Sequence, residues 1–198
     1  MTWRPALWLV ALAIVVIDQV TKQLALANLE PYVVHPVLGD ALAIQLVFNS
    51  GAAFSLGNDT TWILTIVAAA VTVGIVFYAR RAHSGLATWI FGIGLGGALG
   101  NLIDRLLREP SFGQGHVVDM INYNGWFVGN VADIAIVGAA AAVLLMGLFR
   151  RPVLAPDEPV AGEPSTDATS ADATVASAPL TQSAPAEPSV PSPSEPRG

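Results

Sequence analysis

Four long apolar runs, separated by short polar or mixed stretches, dominate the chain; they cover about residues 3–27, 62–78, 89–107 and 126–149. Each approaches the ~20 residues a helix needs to cross a ~30 Å hydrocarbon core. Backbone groups in lipid must find partners within their own segment, so each run predicts a membrane-spanning helix. Trp3, Trp62, Trp89 and Trp126 stand near the starts of the runs, as interfacial anchors do. Between the first two runs, HPVLGDALAIQLVFNSGAAFSL carries β-branched and aromatic residues bounded by Pro, Gly and Asn. That pattern predicts short strands, a small β-rich outer element over about residues 33–56. From Pro152 onward Pro, Ala, Ser, Thr, Asp and Glu replace the large apolar residues. Such a stretch cannot bury enough surface to fold, which predicts a disordered tail over 152–198 beside a membrane domain over 1–151.

Composition agrees: 53% of the 198 residues are hydrophobic and 12% charged, too apolar for an ordinary soluble domain. The net charge of −6 resides in the tail, because eight acidic and eight basic residues balance over 1–151. No basic run suggests nucleic acid. There is no Cys, which excludes disulfides and thiolate chemistry. Arg4 precedes the first run, Arg80 and Arg81 follow the second, Arg150 and Arg151 follow the fourth, and residues 28–61 hold no Lys or Arg. By the positive-inside rule both termini are cytoplasmic and the first and third loops lie outside. The expected fold class is therefore an all-α membrane protein of four transmembrane helices with a small extracytoplasmic β element. Arg105 and Arg108 break the rule at the outer end of the third run, so Arg105 is expected to have a specific polar partner. A rival reading takes the first run as a cleavable signal peptide ending in Ala25-Leu26-Ala27; Asp18 and Lys22, four apart and so on one helical face, fit that reading poorly.

Depth along the helices groups the polar residues. At 1.5 Å per residue Asp133 lies about 25 Å from Arg150, Asp18 about 21 Å from Arg4 and Asp104 about 22 Å from Trp89. Three helices thus carry a carboxylate to one level in the outer third of the bilayer. Asn101 stands one turn from Asp104, Asn130 just before Asp133, and Asp119 in the loop between the third and fourth helices. Converging ionisable residues in a membrane are a functional signal, since a charged group at mid-bilayer costs roughly 2.5–3.5 kcal/mol or more. The competing explanation is a polar knot that holds the helices in register.

HExxH is absent and no second His accompanies His116, which disfavours a zinc hydrolase. G-x-S-x-G is absent too. Two carboxylates remain. A close pair cannot both ionise, so one keeps a proton while the other activates water, the chemistry of aspartic peptide hydrolysis. Asp133 is the better placed of the deep candidates; spacing alone leaves Asp119 and Asp104 open as its partner. GIGLGGALG matches G-x-G-x-x-G but lies inside an apolar helix, not after a strand, so a dinucleotide site is disfavoured. Gly92, Gly96 and Gly100 recur every four residues, the spacing for close helix packing in membranes. An ion conduit would need polar groups along the whole path, and the inner halves of the helices are apolar; a non-catalytic scaffold would tolerate nearly isosteric Asp→Asn changes.

Five motifs in order, DQVTK from Asp18, FNSGAAFSL from Phe48, GGALGNLIDRL from Gly96, GHVVDM from Gly115 and GNVADIAI from Gly129, resemble those of the lipoprotein signal peptidases (signal peptidase II) over about residues 10–145. The resemblance implies an intramembrane aspartic endopeptidase of the bacterial inner membrane. Such an enzyme cuts prolipoproteins before a diacylglyceryl-modified Cys, acts without metal or cofactor and is sensitive to globomycin. It implies Asp119 and Asp133 as the catalytic pair. The supporting or substrate-binding residues it implies are Asp18, Lys22, Asn49, Gly51, Ala53, Asn101, Asp104, Arg105, Asn130 and Ala132. Prolipoproteins and membrane lipids are the expected partners of a monomer. This chain departs from the family pattern at Gly129 and Met120, where Phe is usual, both expected to alter apolar lining at the substrate, and in the longer span between Arg105 and Asp119, which includes REPSFGQG.

Overall fold

The computed structural model describes residues 5–51 and 61–155. Its elements are α1 (Pro5–Asn28), β1 (His35–Leu38), β2 (Leu42–Asn49), α2 (Thr61–Ala79), α3 (Gly85–Leu107), β3 (Val117–Tyr123), β4 (Phe127–Gly129) and α4 (Val131–Leu148). All four helices, of 24, 19, 23 and 18 residues, are long and apolar enough to cross a membrane. Their outward faces are hydrophobic, with Leu9, Val73, Val137 and Leu144 among the exposed side chains, as lipid contact requires.

α3 is the central helix, and its glycines explain how the others reach it. A Cβ on Gly96 would lie 2.7 Å from the Ala11 carbonyl oxygen of α1, and one on Gly92 would lie 3.0 Å from the Leu7 carbonyl oxygen. On another face, a Cβ on Gly97 would lie 2.5 Å from the Ala132 carbonyl oxygen of α4, and one on Gly94 would lie 3.1 Å from Ala139. The expected four-residue stripe is thus half of the arrangement. Gly94 and Gly97, from the false dinucleotide motif, make a second close contact. Leu7, Ala11, Ala79 and Leu95 form a core joining α1, α2 and α3. α1 is built into the fold in this way, which the signal-peptide reading does not anticipate.

The four strands form one antiparallel sheet in the order β1-β2-β3-β4. The expected β element covered only residues 33–56; β3 and β4 come instead from the segment after α3, so Asp119 sits on a strand and not in a loop. Residues 52–56 of the expected element lie outside the described residues, as do Trp3, Arg4 and the tail from residue 156 onward. Val118 and Met120 on one face of β3 pack with Ala25 and Leu46, leaving Asp119 on the other face. Met120 therefore fills the core beneath the sheet.

α4 begins at Val131, not at 126. Asn124 (φ 52°) and Gly125 (φ 73°) both take left-handed backbone, and the Gly125 N–H donates to Asn122 Oδ1 at 2.7 Å. Residues 124–126 thus close a hairpin, with Trp126 exposed at its turn. α3 begins at Gly85, earlier than expected, because Ser84 caps it by accepting the Ala87 N–H at 3.1 Å. The longer 108–115 span folds back onto α3: Gly115 N–H donates to Arg105 O at 3.0 Å, and Thr65 on α2 donates to Gly113 O at 2.7 Å.

Candidate active site

The polar level expected from depth exists, and it begins with a buried ion cluster. One turn apart on α1, Asp18 and Lys22 are fully buried and pair at 2.8 Å. Lys22 also pairs with Asp104 Oδ2 of α3 at 2.8 Å and donates to Asn101 Oδ1 at 3.0 Å. Buried ions pay heavily for lost hydration unless their oxygens find donors, and here every carboxylate oxygen of Asp18 and Asp104 has at least one. The second Asp18 oxygen accepts the Ala132 N–H at 2.9 Å. Asp104 Oδ1 accepts from Arg108 Nε at 2.7 Å and Gln19 Nε2 at 3.1 Å, while Oδ2 also accepts the Val118 N–H at 3.1 Å. Asp104 therefore docks strand β3 onto α3, one residue before Asp119.

Asp133 is the third residue of α4, and Asn130 is its N-cap. Asn130 Oδ1 accepts the Asp133 N–H at 3.0 Å, and Asp133 Oδ2 accepts the Asn130 N–H at 3.0 Å, a reciprocal capping box. With its carbonyl oxygen so engaged, the Asn130 side chain turns its amino group to Asp119 Oδ1 at 2.6 Å. Asn101 Nδ2 donates to Asp133 Oδ1 at 2.8 Å. Asn49 Nδ2 donates to Asp119 Oδ2 at 2.9 Å, across the diagonal of the β2–β3 pairing. Each of the four oxygens of Asp119 and Asp133 thus accepts one N–H, and Asn130 bridges the two residues. Asp104, the other partner left open by spacing, is occupied by Lys22, Arg108 and Gln19.

The Asn49 amide bonds Asp119, and the Gly51 N–H donates to Asn49 Oδ1 at 2.8 Å, fixing which way that amide points. Gly51 has φ +99°, and a Cβ there would strike Leu64, so the turn requires glycine. Ala53 lies outside the described residues. Ala132 is fully buried and packs against Gly97 and Gly100 of α3. Arg105 is buried within electrostatic range of Asp119, Asp104 and Asp133. These carboxylates are its electrostatic partners, while among the described residues its Nη1 is a buried donor without an acceptor.

Burial pushes the Asp119 carboxyl up from 3.8 to about 7. The Asn49 hydrogen bond opposes that shift, the Asp133 charge adds to it, and the Asn130 hydrogen bond and the Lys22 charge oppose it. Asp119 can therefore hold a proton near neutral pH.

An apolar groove of about 510 Å³ opens beside Asp133, lined by Tyr123, Phe127 and Gly129 from the hairpin and Ile134, Val137 and Gly138 from α4. Phe127 and Tyr123 stack at 6.1 Å. A Cβ on Gly129 would lie 2.5 Å from the Phe127 ring and 2.9 Å from Asp133 Oδ2. Where the family pattern has Phe, this chain lays the Phe127 ring over a glycine beside the carboxylate.

Four residues of the network lie outside the expected set. Gln19 and Arg108 complete the Asp104 shell, and Asn122 donates to Gln45 across the sheet at 2.6 Å. The i,i+4 spacing of Asp104 and Arg108 was the available signal for one of them.

The family model for signal peptidase (SPase) II matches residues 10–149. Proteins named lipoprotein signal peptidase from Mycobacterium avium and Rhodococcus jostii are each 44% identical, over 71% and 74% of this chain and 77% and 74% of their own lengths. The one from Mycobacterium tuberculosis H37Rv is 43% identical over 71% of this chain and 69% of its own length. A solved bacterial membrane enzyme, determined in meso at 1.9 Å, superposes with TM-score 0.60 and 26% identity, covering 71% of this chain and 90% of that one. With four apolar helices, an antiparallel sheet and an Asp–Asn network where they meet, this chain belongs to the signal peptidase II family.

Proposed function

We propose that the protein is an intramembrane aspartic endopeptidase that matures lipoproteins by removing signal peptides from prolipoproteins, cutting before the diacylglyceryl-modified Cys. Asp119 and Asp133 are its catalytic pair. The observation that carries this reading is the Asn130 bridge: two acidic residues from different elements share one amide, and every one of their oxygens has an N–H donor. A pair so held shares one proton, and the apparent constants belong to the pair. Asp119, pushed up to about 7, is assigned as its holder.

In the reaction Asp133 takes a proton from water as the water oxygen attacks the scissile carbonyl, and Asp119 gives its proton to the carbonyl oxygen. The tetrahedral diol then collapses. Asp133 passes its proton to the leaving nitrogen, a diol hydroxyl returns one to Asp119, and the C–N bond breaks. Arg105, with a donor unpaired among the described residues, is positioned to bind a substrate carbonyl oxygen. No metal or cofactor takes part. The enzyme works as a monomer in the bacterial cytoplasmic membrane, termini inside and active site near the outer face, and its substrate enters laterally from the lipid.

Purified enzyme in detergent, given a diacylglyceryl-modified prolipoprotein, is expected to release the signal peptide and to be inhibited by globomycin. Asp133→Asn cleaving at the wild-type rate would overturn the catalytic pair. A wild-type protein that neither cleaves nor binds globomycin would overturn the peptidase reading.

A further inference from the structure

Lys22 is a fully buried ammonium group with three donors, and each has its own acceptor: Asp18, Asp104 and Asn101. The two ion pairs would suffice for a structural cation. The third bond leads elsewhere. Asn101 Oδ1 receives Lys22 at 3.0 Å and Asn130 Nδ2 at 3.2 Å, and its Nδ2 donates to Asp133 at 2.8 Å. Were the Asn101 amide reversed, its NH₂ would face the ammonium and its oxygen would face a carboxylate, two repulsive contacts in a dry site. The cation thereby decides which end of Asn101 meets Asp133.

Charge points the same way. Lys22 and Arg108 balance Asp18 and Asp104, and Arg105 balances a pair that carries a single negative charge. Without Lys22 the buried cluster gains a net negative charge.

We infer that Lys22 is a positioning residue for the catalytic pair, acting through Asn101 to hold the amide donor on Asp133. This rests on the Asp119–Asp133 reading. It assigns α1, which contributes neither catalytic carboxylate, a part in the chemistry.

Kinetics of Lys22→Met and of the double variant Asp18→Asn/Lys22→Met test it. The double variant removes the α1 ion pair as a neutral unit and keeps a side-chain amide oxygen at position 18 for the Ala132 N–H. Both variants are expected to lose at least tenfold in kcat with KM within about twofold, since Asn101 Oδ1 is left with only its longer bond from Asn130 to orient the amide. The groups facing Asp119 are Asp133 from α4, Lys22 from α1, Arg105 from α3, and the amides of Asn49 and Asn130. Lys22 is a cation that holds the Asp119 carboxyl down, so the alkaline limb of the pH–rate profile moves to higher pH in Lys22→Met. If the double variant folds and regains wild-type kcat, Lys22 serves only as countercharge to Asp18 and the inference is wrong. Should Lys22→Met fail to fold, the double variant decides alone. Activity surviving in Asp133→Asn would instead sink the catalytic-pair reading, a separate outcome.

Discussion

Asp104 Oδ2 accepts the backbone N–H of Val118 at 3.1 Å, so a carboxylate on a central helix holds the strand residue next to Asp119. The same oxygen pairs with Lys22, which makes Asp104 the joint between the ion cluster and the sheet. Asp104→Ala leaves Lys22 and the Val118 N–H without that acceptor in a buried site. Loss of one partner from a buried ion pair costs about 3–5 kcal/mol, so a large fall in the thermal midpoint in detergent is expected, with cleavage lost alongside. A midpoint unchanged from wild type would show that the strand is held by something else.

The pH dependence follows from Asp119, raised by burial from 3.8 to about 7. In the folded enzyme this carboxyl keeps its proton up to about pH 7; in the unfolded chain it loses it near 4. Its contribution to stability is therefore complete below about pH 4 and is lost as the pH rises through 7, at most ~1.4 kcal/mol per pH unit. Asp119→Asn is expected to flatten that slope and to be relatively more stable than wild type at pH 8, measurable by thermal melts across pH. In the wild type, kcat/KM should fall above about pH 7 as the proton is lost. A rate still rising at pH 8.5 would contradict the assignment of the proton to Asp119.

Two glycine substitutions separate packing from propensity. Gly97→Val meets the Ala132 carbonyl oxygen and Ile136 and must push α4 from α3, whereas nothing lies within 4 Å of a Cβ on Gly74 in α2, the site of Gly74→Ala. The first is expected to destabilise by about 1–3 kcal/mol or more, as overpacking does. The second should be neutral or gain about 0.5–1 kcal/mol from reduced backbone freedom. Equal melting temperatures for the two would refute the close α3–α4 contact.

The expected start of the tail, residue 152, falls in a stretch with backbone partners. His83 N–H donates to Val153 O at 2.8 Å and Ala155 N–H to Arg81 O at 2.7 Å. A chain ending at Ala155 is expected to match the full chain in cleavage and melting. One ending at Arg151 loses two backbone bonds, worth about 1–3 kcal/mol together, and should melt earlier while keeping its kcat. Loss of cleavage on ending at Ala155 would give the remaining tail a role that its composition does not suggest.

Much of this was legible because the bilayer imposes strong rules. Apolar runs marked all four helices, and rise per residue put Asp18, Asp104 and Asp133 at one level, where Lys22 and Ala132 now connect them. β3 was not legible. Val117 to Met120 are all buried, so the strand lacks alternation of polar and apolar residues. The start of α4 is hidden in the sequence because Trp126, Phe127 and Val128 extend its apolar run; Asn124-Gly125, flanked by apolar residues, carries the hairpin signal. Gln19 could not have been foreseen, since its partners Gly100 and Asp104 lie more than 80 residues away in sequence.

Placing Asp133 on the first turn of α4, with Asn130 as both cap and bridge, has a mechanical consequence. Any lean of α4 against the sheet would move Asp133 relative to Asp119, because Asn130 caps the helix and bonds the strand residue. A host bilayer that is too thick or too thin for the 18 residues of α4 tips that helix, and the tilt reaches Asp119 through a single amide. Hydrolysis should then track membrane thickness, making the catalytic centre a gauge of the lipid around it.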